Sequence, residues 1–424
     1  MKDTPQDINT IADHLFRENS GKMVAALCRV FSLQQMDNVL DIVQDTFETA
    51  LRKWKFSGIP ENPSAWLMKV AKNKAINFFE RYGKSSVIEP SAFIKNNGQN
   101  IESQLDHYFM PHEIEDSQLR LLLTCCHPDL SDKNQIILTL HILSGFGIEE
   151  IANGLLMHTE AVKKALFRSK AILKSKGRIL QAPSLLLFEK RIAVVHIILY
   201  LMFNEGYKST RSTSIIDNDL CYEAVRLTKL LLKKDVALKH ETAALLALMF
   251  FNLSRFPARL TAEGEIVTLA DQDRSQWDQK FITEGFFYLL KATEGEKLSQ
   301  FHLEAIISSI HCSAKYFEET DWQKIAFLYE QMELVNKSSV LKLNALVAKS
   351  YIYGPERGLK MLKELKSDRK LIENYLLFAV EGEFFERSGQ EEMAKECYKQ
   401  AILLTRNQPD KQFLEKRISK LQAK

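Results

Sequence analysis

Five basic side chains recur along the segment Phe146–Gly177, and the chemistry they offer is the binding of anions. They are Lys163, Lys164, Arg168, Lys170 and Lys174. Apolar residues fall at helical spacing on the other side of the same stretch. The pattern therefore predicts a helix that docks on its own domain through an apolar stripe. Its basic side would be free to bind phosphates and base edges.

A second helix and a sharp turn must position that basic helix. Apolar spacing predicts helices at 148–155 and 159–176, with Gly154 at the turn and Thr159 as the cap of the second helix. A lone basic helix is more often a solvated surface helix. The preceding helix and the turn instead favour a helix-turn-helix DNA reader, whose contacts we expect from Thr159, Lys163, Lys164 and Arg168.

The run Cys125-Cys126-His127 has the residue types of a metal site. Adjacent cysteines chelate one zinc ion poorly, and no second ligand pair stands at zinc-site spacing. We therefore expect these residues to pack in the structure, and we predict no metal.

A group of carboxylates at Asp271, Asp273 and Asp278 surrounds Arg274 and Trp277. These residue types could bind a cation or form a catalytic carboxylate pair. A capped helix start with an internal Asp–Arg pair is the commoner explanation. Because no Gly-rich phosphate loop, HExxH motif or nucleophile elbow occurs, we predict neither an enzyme nor a cofactor.

A third group, Asn204, Glu205, Tyr207 and Arg259, could contribute to a pocket for a small molecule or a peptide. The sequence does not locate that pocket. A protein or small-molecule ligand of the C-terminal part of the chain is therefore left open.

The 424 residues allow two to four domains, and 46% of them are hydrophobic, as in folded proteins. The formal net charge of +3 says little about partners. Six cysteines without a CxxC pair and a polar N-terminus favour a cytoplasmic protein. The apolar run Ile192–Phe203 is shorter than the roughly 20 residues of a membrane span, so we predict a buried helix and no membrane partner.

The fold class predicted from the periodicity is all-α, in four parts. Residues 7–83 form a first block with helices near 9–30, 37–54 and 63–82, and residues 84–115 form a flexible, polar linker. Residues 116–178 form a second block with helices near 116–126, 132–144, 148–155 and 159–176. Residues 183–424 form helical pairs.

The last of these pairs fits a tetratricopeptide unit. The large and small residues of that pattern are Phe378, Gly382, Phe385, Ala394, Tyr398 and Ala401, with Gly389 at the turn. The pair 321–334 with 338–352 looks like a degenerate version. An irregular helical bundle is the alternative.

The segment Asp41–Phe47 (DIVQDTF) resembles the "D-x-V-Q-E-x-F" motif of extracytoplasmic-function (ECF) sigma factors. In that family the motif docks on the β′ clamp helices of core RNA polymerase. Asp45 replaces the family's Glu. The resemblance implies polymerase binding by Asp41, Gln44, Asp45 and Phe47.

The segment Ala65–Ile76 (AWLMKVAKNKAI) resembles "A-W-L-x-x-[IV]-A-R-N-x-A-x", the helix that in this family meets and opens the −10 promoter element. The resemblance implies −10 contacts from the donor side chains of this helix. These are Lys69, Lys72, Asn73, Lys74, Asn77 and Arg81. A single Trp at helical spacing is usually buried, so we expect Trp66 to pack in the core.

The segment Val162–Arg168 (VKKALFR) resembles the family's −35 recognition helix, "V-K-S-R-L-x-R". Lys164 replaces the family's Ser and Ala165 its Arg. The two N-terminal blocks together thus resemble the sigma-2 and sigma-4 domains, which also implies contact with the polymerase β flap.

Four further segments resemble group 42 of the ECF sigma factors, which carries a fused tetratricopeptide-like domain. They are Leu119–Pro128, Phe203–Tyr207, Asp271–Asp278 and Gly354–Leu359. In that group the extension is needed for activity or its control. The resemblance covers nearly the whole chain.

The leading hypothesis is therefore a sigma factor that binds core RNA polymerase and promoter DNA and is controlled by its own C-terminal helical domain. The alternative is a ligand-sensing helix-turn-helix regulator that acts without being a sigma subunit. Two DNA-facing helices joined by a tether suit two promoter elements and favour the first.

Overall fold

The computed structural model describes residues 5–31, 33–82, 101–155, 157–175, 185–207, 218–233, 238–262, 264–335, 338–366, 372, 374–405 and 408–422. These ranges hold nineteen α-helices and four short 3₁₀ segments. The one β-type pairing within them is an isolated bridge between Leu260 and Ile266. The prediction of an all-α fold is confirmed.

The first eight helices are α1 (Pro5–Phe31), α2 (Met36–Ser57), α3 (Pro63–Tyr82), α4 (Ile101–Tyr108), α5 (Pro111–Cys125), α6 (Asp132–Ile142), α7 (Ile148–Gly154) and α8 (Thr159–Ser175). Local chemistry sets several of their ends. Gly58, with φ of 74°, ends α2, and Pro111 stands in the first turn of α5. The Ser131 hydroxyl accepts the N–H of Asn134 and caps α6.

The remaining helices are α9 (Leu185–Tyr207), α10 (Asn218–Lys233), α11 (Lys239–Ser254), α12 (Gln279–Ala292), α13 (Gln300–Ser313), α14 (Trp322–Val335), α15 (Ser339–Tyr353), α16 (Pro355–Leu365), α17 (Tyr375–Arg387), α18 (Glu391–Leu404) and α19 (Gln408–Gln422). The chain folds into two compact units. The first comprises 1–202 with 233–238, and the second comprises 203–232 with 239–424.

In the first unit, helix α1 packs on helices of both predicted N-terminal blocks. Helix α1 is buried along Met23–Leu27 and packs on α2, α3 and α5. Where α1 meets the end of α6, a Cβ on Gly21 would overlap the main-chain carbonyl of Leu143. The two blocks therefore pack together without intervening side-chain atoms at this point.

The expected linker 84–115 is partly helical, so that prediction is wrong for 101–115. Helix α4 docks because Leu105 and Tyr108 are buried against α1. The guanidinium of Arg29 lies 4.9 Å from the Tyr108 ring centroid. Two apolar anchors among polar residues give too little periodicity to be recognised in sequence. Residues 84–100 lie outside the described residues.

In the second unit, α11 is buried on nearly all sides. Helices α17 and α18 form an antiparallel pair around the Gly389 turn, where φ is 77°. Gly382 allows the close approach, since a Cβ there would stand 2.5 Å from the Tyr398 ring. Ala394, Tyr398 and Ala401 pack in one cluster with Phe378 and Phe385. The residues of the predicted tetratricopeptide pattern thus meet, and the repeat assignment itself stays a prediction.

The apolar run Ile192–Phe203 lies within α9, where His196 is fully buried. Burial lowers the pKa of His196 to about 4. Of the helices whose residues are described, none is both long and apolar enough to cross a membrane.

Candidate nucleic-acid interface

Helix α8 presents the expected basic residues on its outer side. Lys163, Lys164 and Arg168 are exposed. On the inner side Val162, Ala165, Leu166, Ser169 and Leu173 are buried. Lys163 Nζ pairs with Glu160 at 2.8 Å on the same helix. An exposed pair of this kind is weak, so Lys163 remains available to a phosphate.

The far end of α8 is not free, contrary to the expectation of a wholly open basic side. Lys170 Nζ lies 3.2 Å and Lys174 Nζ 2.5 Å from the carboxylate oxygens of Asp37, at the start of α2. Partial burial alone would raise the pKa of Asp37, but the hydrogen bonds and charges of Lys174 and Lys170 lower it below its usual value. Asp37 thus joins the second block to the first.

One exposed residue of α8, Phe167, is absent from the residues predicted in sequence. Its ring is 77% exposed between Lys163, Lys164 and Arg168 on the outer side of the helix. An exposed phenylalanine on a basic face can contact the methyl group of thymine. The motif gave no signal for it, because this position is unspecified in the pattern.

Helix α3 carries a second exposed stripe. Lys69, Asn73, Asn77 and Arg81 are exposed and recur every four residues, so they share one face. The other two predicted −10 residues are half-buried and paired. Lys72 pairs with Asp106 of α4, and Lys74 lies 3.7 Å from Asp45 of α2.

On α2 the predicted polymerase-binding residues divide into two groups. Asp41, Gln44 and Asp45 are exposed. Phe47 is buried, and its ring packs on Phe16 with centroids 4.7 Å apart. The sequence expectation of a surface contact does not fit Phe47, because its ring holds α2 on α1 from inside.

Trp66 is half-buried on α3, as expected for core packing rather than a base-stacking platform. Its ring lies 5.5 Å from that of Trp54, which is buried. The pair joins α2 and α3.

A cavity of about 320 Å³ lies where the two N-terminal blocks meet within the first unit. Asp41 and Gln44 line it from the first block, and His141, Gly145 and Lys170 line it from the second. Asp41 and Gln44, which are predicted to bind polymerase, therefore face the same cavity as Lys170 of the predicted −35 helix.

The clusters with enzyme-like residue types are used structurally. Cys125 and Cys126 are buried, and burial raises the pKa of Cys126 to about 12. In the described part of the chain, no group of three or more His, Cys, Asp or Glu residues is placed to hold a metal ion.

In the segment Asp271–Asp278, several polar side chains likewise form hydrogen bonds with the main chain. Asp273 caps the 3₁₀ turn 274–276, and Asp278 caps α12. Arg274 is buried and donates to the carbonyls of His311 and Ala314, each at 2.9 Å. The expected Asp–Arg pair does not form among the described contacts of Arg274.

In the third group of candidate residues, Asn204, Glu205, Tyr207 and Arg259, two members contact each other. Arg259 donates to the carbonyl of Tyr207 at 2.8 Å and stacks 3.6 Å from its ring centroid. Asn204, Glu205, Tyr207 and Arg259 do not line the cavity beside Trp322 or the cavity beside Arg274 in the second unit.

Comparison with known proteins agrees with this arrangement. Residues 15–85 match Sigma-70 region 2, and residues 191–293 match a family of unknown function, DUF6596. An uncharacterized protein of Rhizobium meliloti (strain 1021) is 31% identical over 400 residues, which cover 94% of this chain and 93% of that protein. No solved structure matches.

A sigma-70 region 2 on helices α1–α3, followed by a fused C-terminal helical domain, defines the class of the protein as a sigma factor. Such a protein acts with RNA polymerase in promoter recognition. The chain belongs to the same family as the Rhizobium meliloti protein.

Proposed function

We propose that this chain is an ECF-type sigma factor that directs promoter recognition with two separate helices and has no catalytic chemistry of its own. The observation that carries the proposal is the pair of exposed stripes on α3 and α8. Lys69, Asn73, Asn77 and Arg81 serve the −10 element, and the exposed Lys163, Lys164 and Arg168, with the half-buried Thr159 at the start of α8, serve the −35 element.

The exposed residues of α2 are the proposed contact with core polymerase. Asp41, Gln44 and Asp45 share an outward surface, whereas Phe47 supports that surface from the core. A carboxylate surface suits the β′ clamp helices if those helices present basic side chains, because complementary charge steers association. We assign contact with the β flap to the second block, 116–178.

Promoter binding by both helices requires the two N-terminal blocks to separate. Promoter elements two helical turns apart are about 70 Å apart along DNA. In the free chain, however, Lys170 and Lys174 of α8 hold Asp37 of α2. We propose that α8 leaves Asp37 when the promoter is bound.

The polymerase contact is tested by charge reversal on α2 in the full chain. Asp41→Lys with Asp45→Lys should weaken binding to bacterial core RNA polymerase at least tenfold. Glu48→Lys, an exposed position on the same helix, is the control for a general charge effect. Unchanged core affinity of the double variant would remove this surface from the proposal.

The alternative, a helix-turn-helix regulator that needs no polymerase, predicts different behaviour. It would bind an operator tightly alone, usually as a dimer on a palindrome. The exposed stripe on α3 has no role in that mechanism. Loss of promoter opening on changing Asn73 and Asn77 to Ala, with retained −35 binding, would separate the two.

We further propose that residues 183–424 form a tetratricopeptide-like domain that controls initiation. Its helical pairs and the Gly382–Tyr398 contact support the repeat assignment. A full-length Gly382→Ala variant should change transcription while its affinity for core polymerase stays the same. Equal transcription by the native chain and by a folded variant would argue against control by this domain.

A further inference from the structure

A cavity of about 620 Å³ lies in the described part of the second unit. Its walls come from the loop Thr268–Asp271, from α14 and α15, and from α17 and α19. Small-molecule sites in proteins have volumes of this order and combine apolar walls with a few polar groups. The composition of its walls defines the chemistry that it could hold.

One wall is a fixed aromatic cluster. The Trp322 and Tyr351 rings stack with centroids 4.3 Å apart and an angle of 19°. Phe317 meets each of them edge-on at 5.2 Å. The Arg387 guanidinium also lies over the Tyr351 ring, 4.0 Å from its centroid. Rings held in this way form a rigid, largely apolar wall whose ordering cost is met on folding rather than on ligand binding.

The two arginines that line the cavity are already neutralised. Arg387 donates to Ser350 Oγ at 2.9 Å and lies 3.7 Å from Glu383. Arg417 donates to Glu386 at 2.7 Å. Glu386 also accepts the Tyr398 hydroxyl at 2.6 Å. These pairs leave little capacity for an anionic ligand.

Asp271 is the acidic residue of the cavity without an ion-pair partner in the described structure. Its carboxylate accepts the Thr268 hydroxyl at 2.5 Å and is otherwise exposed. Three carboxylates and two guanidiniums therefore line this space, which leaves one negative charge. The nearby Asp273 and Asp278 differ from Asp271, because both are used as helix caps.

A buried polar atom without a hydrogen-bond partner among the described residues lies in the same walls. His311 lines the cavity with only 8% of its surface exposed, and no described residue bonds its Nδ1. Burial, Arg255 and Arg274 lower the pKa of His311 to about 3, so the imidazole is neutral and adds no positive charge. Its unbonded Nδ1 donates or accepts according to the tautomer, and the net charge of the cavity stays negative.

We propose that this cavity binds an organic cation: an ammonium or guanidinium group at Asp271, carried on an apolar body that packs against Trp322 and Tyr351. The same chemistry could be supplied by a free amine or by the Lys or Arg side chain of a partner peptide. The proposal does not rest on sigma activity, so its failure and that of the proposed function are separable.

The test uses the full chain labelled with 5-fluorotryptophan, whose Trp322 resonance is assigned with Trp322→Phe. Tryptamine, its neutral analogue tryptophol and the anion indole-3-propionate are titrated separately. We expect tryptamine to shift the Trp322 resonance saturably and to bind at least tenfold more tightly than the other two. A blocked Leu-Lys-Leu peptide, titrated in parallel, distinguishes a peptide source from a free amine.

Asp271→Asn should lower tryptamine affinity at least tenfold and leave tryptophol affinity unchanged. Asp273→Asn removes the same charge two residues away and retains a capping side chain, so it should bind tryptamine like the native chain. Equal binding of cation and anion, an unaffected Asp271→Asn variant, or no saturable shift with any amine or with the peptide would each overturn the proposal.

Discussion

Gly21 of α1 packs directly against the main-chain carbonyl of Leu143 at the end of α6, with no space between them for a side chain. Close by, a Cβ on Gly145 would overlap the Ser20 hydroxyl. Gly145 has a φ of 70° and is required by its turn as well. These contacts join the predicted −10 and −35 blocks without using any residue of the exposed stripes on α3 and α8.

Gly21→Ala tests this contact. In an ordinary helix this change stabilises by about 0.5–1 kcal/mol. Here the methyl group meets main chain that has no rotamer to change. We expect the free energy of unfolding in urea to fall by roughly 1–3 kcal/mol.

Lys22→Ala, which removes an exposed pair with Glu18, should change that free energy by less than about 1 kcal/mol and serves as the control. A Gly21→Ala variant more stable than the native chain would contradict the packing of the two blocks.

Asp37→Asn should loosen α8 from α2. Two partly exposed ion pairs are worth about 0.2–1 kcal/mol each, so the ratio of packed to separated chains should fall by up to about thirtyfold. Spin labels at Glu48 and Ser175, both exposed, would report this as longer distances. Native Cys28 should stay unlabelled, since it is buried and its pKa is raised to about 12.

The lowered pKa of Asp37 also determines how the difference in packing between the native and Asp37→Asn chains depends on pH. Because this pKa is lowered in the packed state, the contribution of the Asp37 carboxylate to packing is complete above the ordinary pKa of about 3.9. It is lost as the pH falls further. Native and Asp37→Asn chains should therefore differ equally at pH 5 and pH 8. A difference that vanished already at pH 5 would contradict the assignment.

Phosphate contacts from α8 should appear in the salt dependence of DNA binding. Removing Lys163, Lys164 and Arg168 together should reduce the slope of log K against log salt by about three units, one for each lost contact. Removal of three exposed lysines of the second unit, Lys342, Lys360 and Lys363, is the charge-matched control. Equal slopes for both triple variants would exclude α8 as the DNA face.

Phe167 should contact a thymine methyl group in the −35 element. On a site selected from randomised duplexes, replacing thymine by uracil should weaken native binding about fourfold, since a buried CH₂ is worth about 0.8 kcal/mol. Phe167→Ala should bind both duplexes equally. Phe56→Ala, which removes a ring that is 91% exposed on α2, should keep the native preference. A persistent thymine preference in Phe167→Ala would assign the methyl contact elsewhere.

The helices were predictable because their apolar residues recur every three or four positions. The observed starts of α3 at Pro63, α6 at Asp132 and α8 at Thr159 coincide with the predicted ones. Helix α4 was not predictable, because tertiary contacts of Leu105 and Tyr108 decide it.

The residues of the predicted site could be identified from sequence, but the contacts between them could not. Asp37 and Lys174 are 137 positions apart, and no local sequence pattern predicts their contact. Phe47 belongs to a motif associated with polymerase binding, yet only the three-dimensional packing places its ring in the core. A resemblance to a motif identifies the residue type at each position, but it does not show which side chains are exposed.

The central claim is that this chain gives core RNA polymerase its promoter choice. The most direct measurement is transcription of fragmented genomic DNA by bacterial core polymerase with and without the full chain, followed by sequencing of the 5′ ends. We predict a stable complex and a defined set of start sites preceded by a shared pair of elements, lost with Asp41→Lys and Asp45→Lys together. Start sites identical to those of core polymerase alone, with no stable complex, would contradict the account.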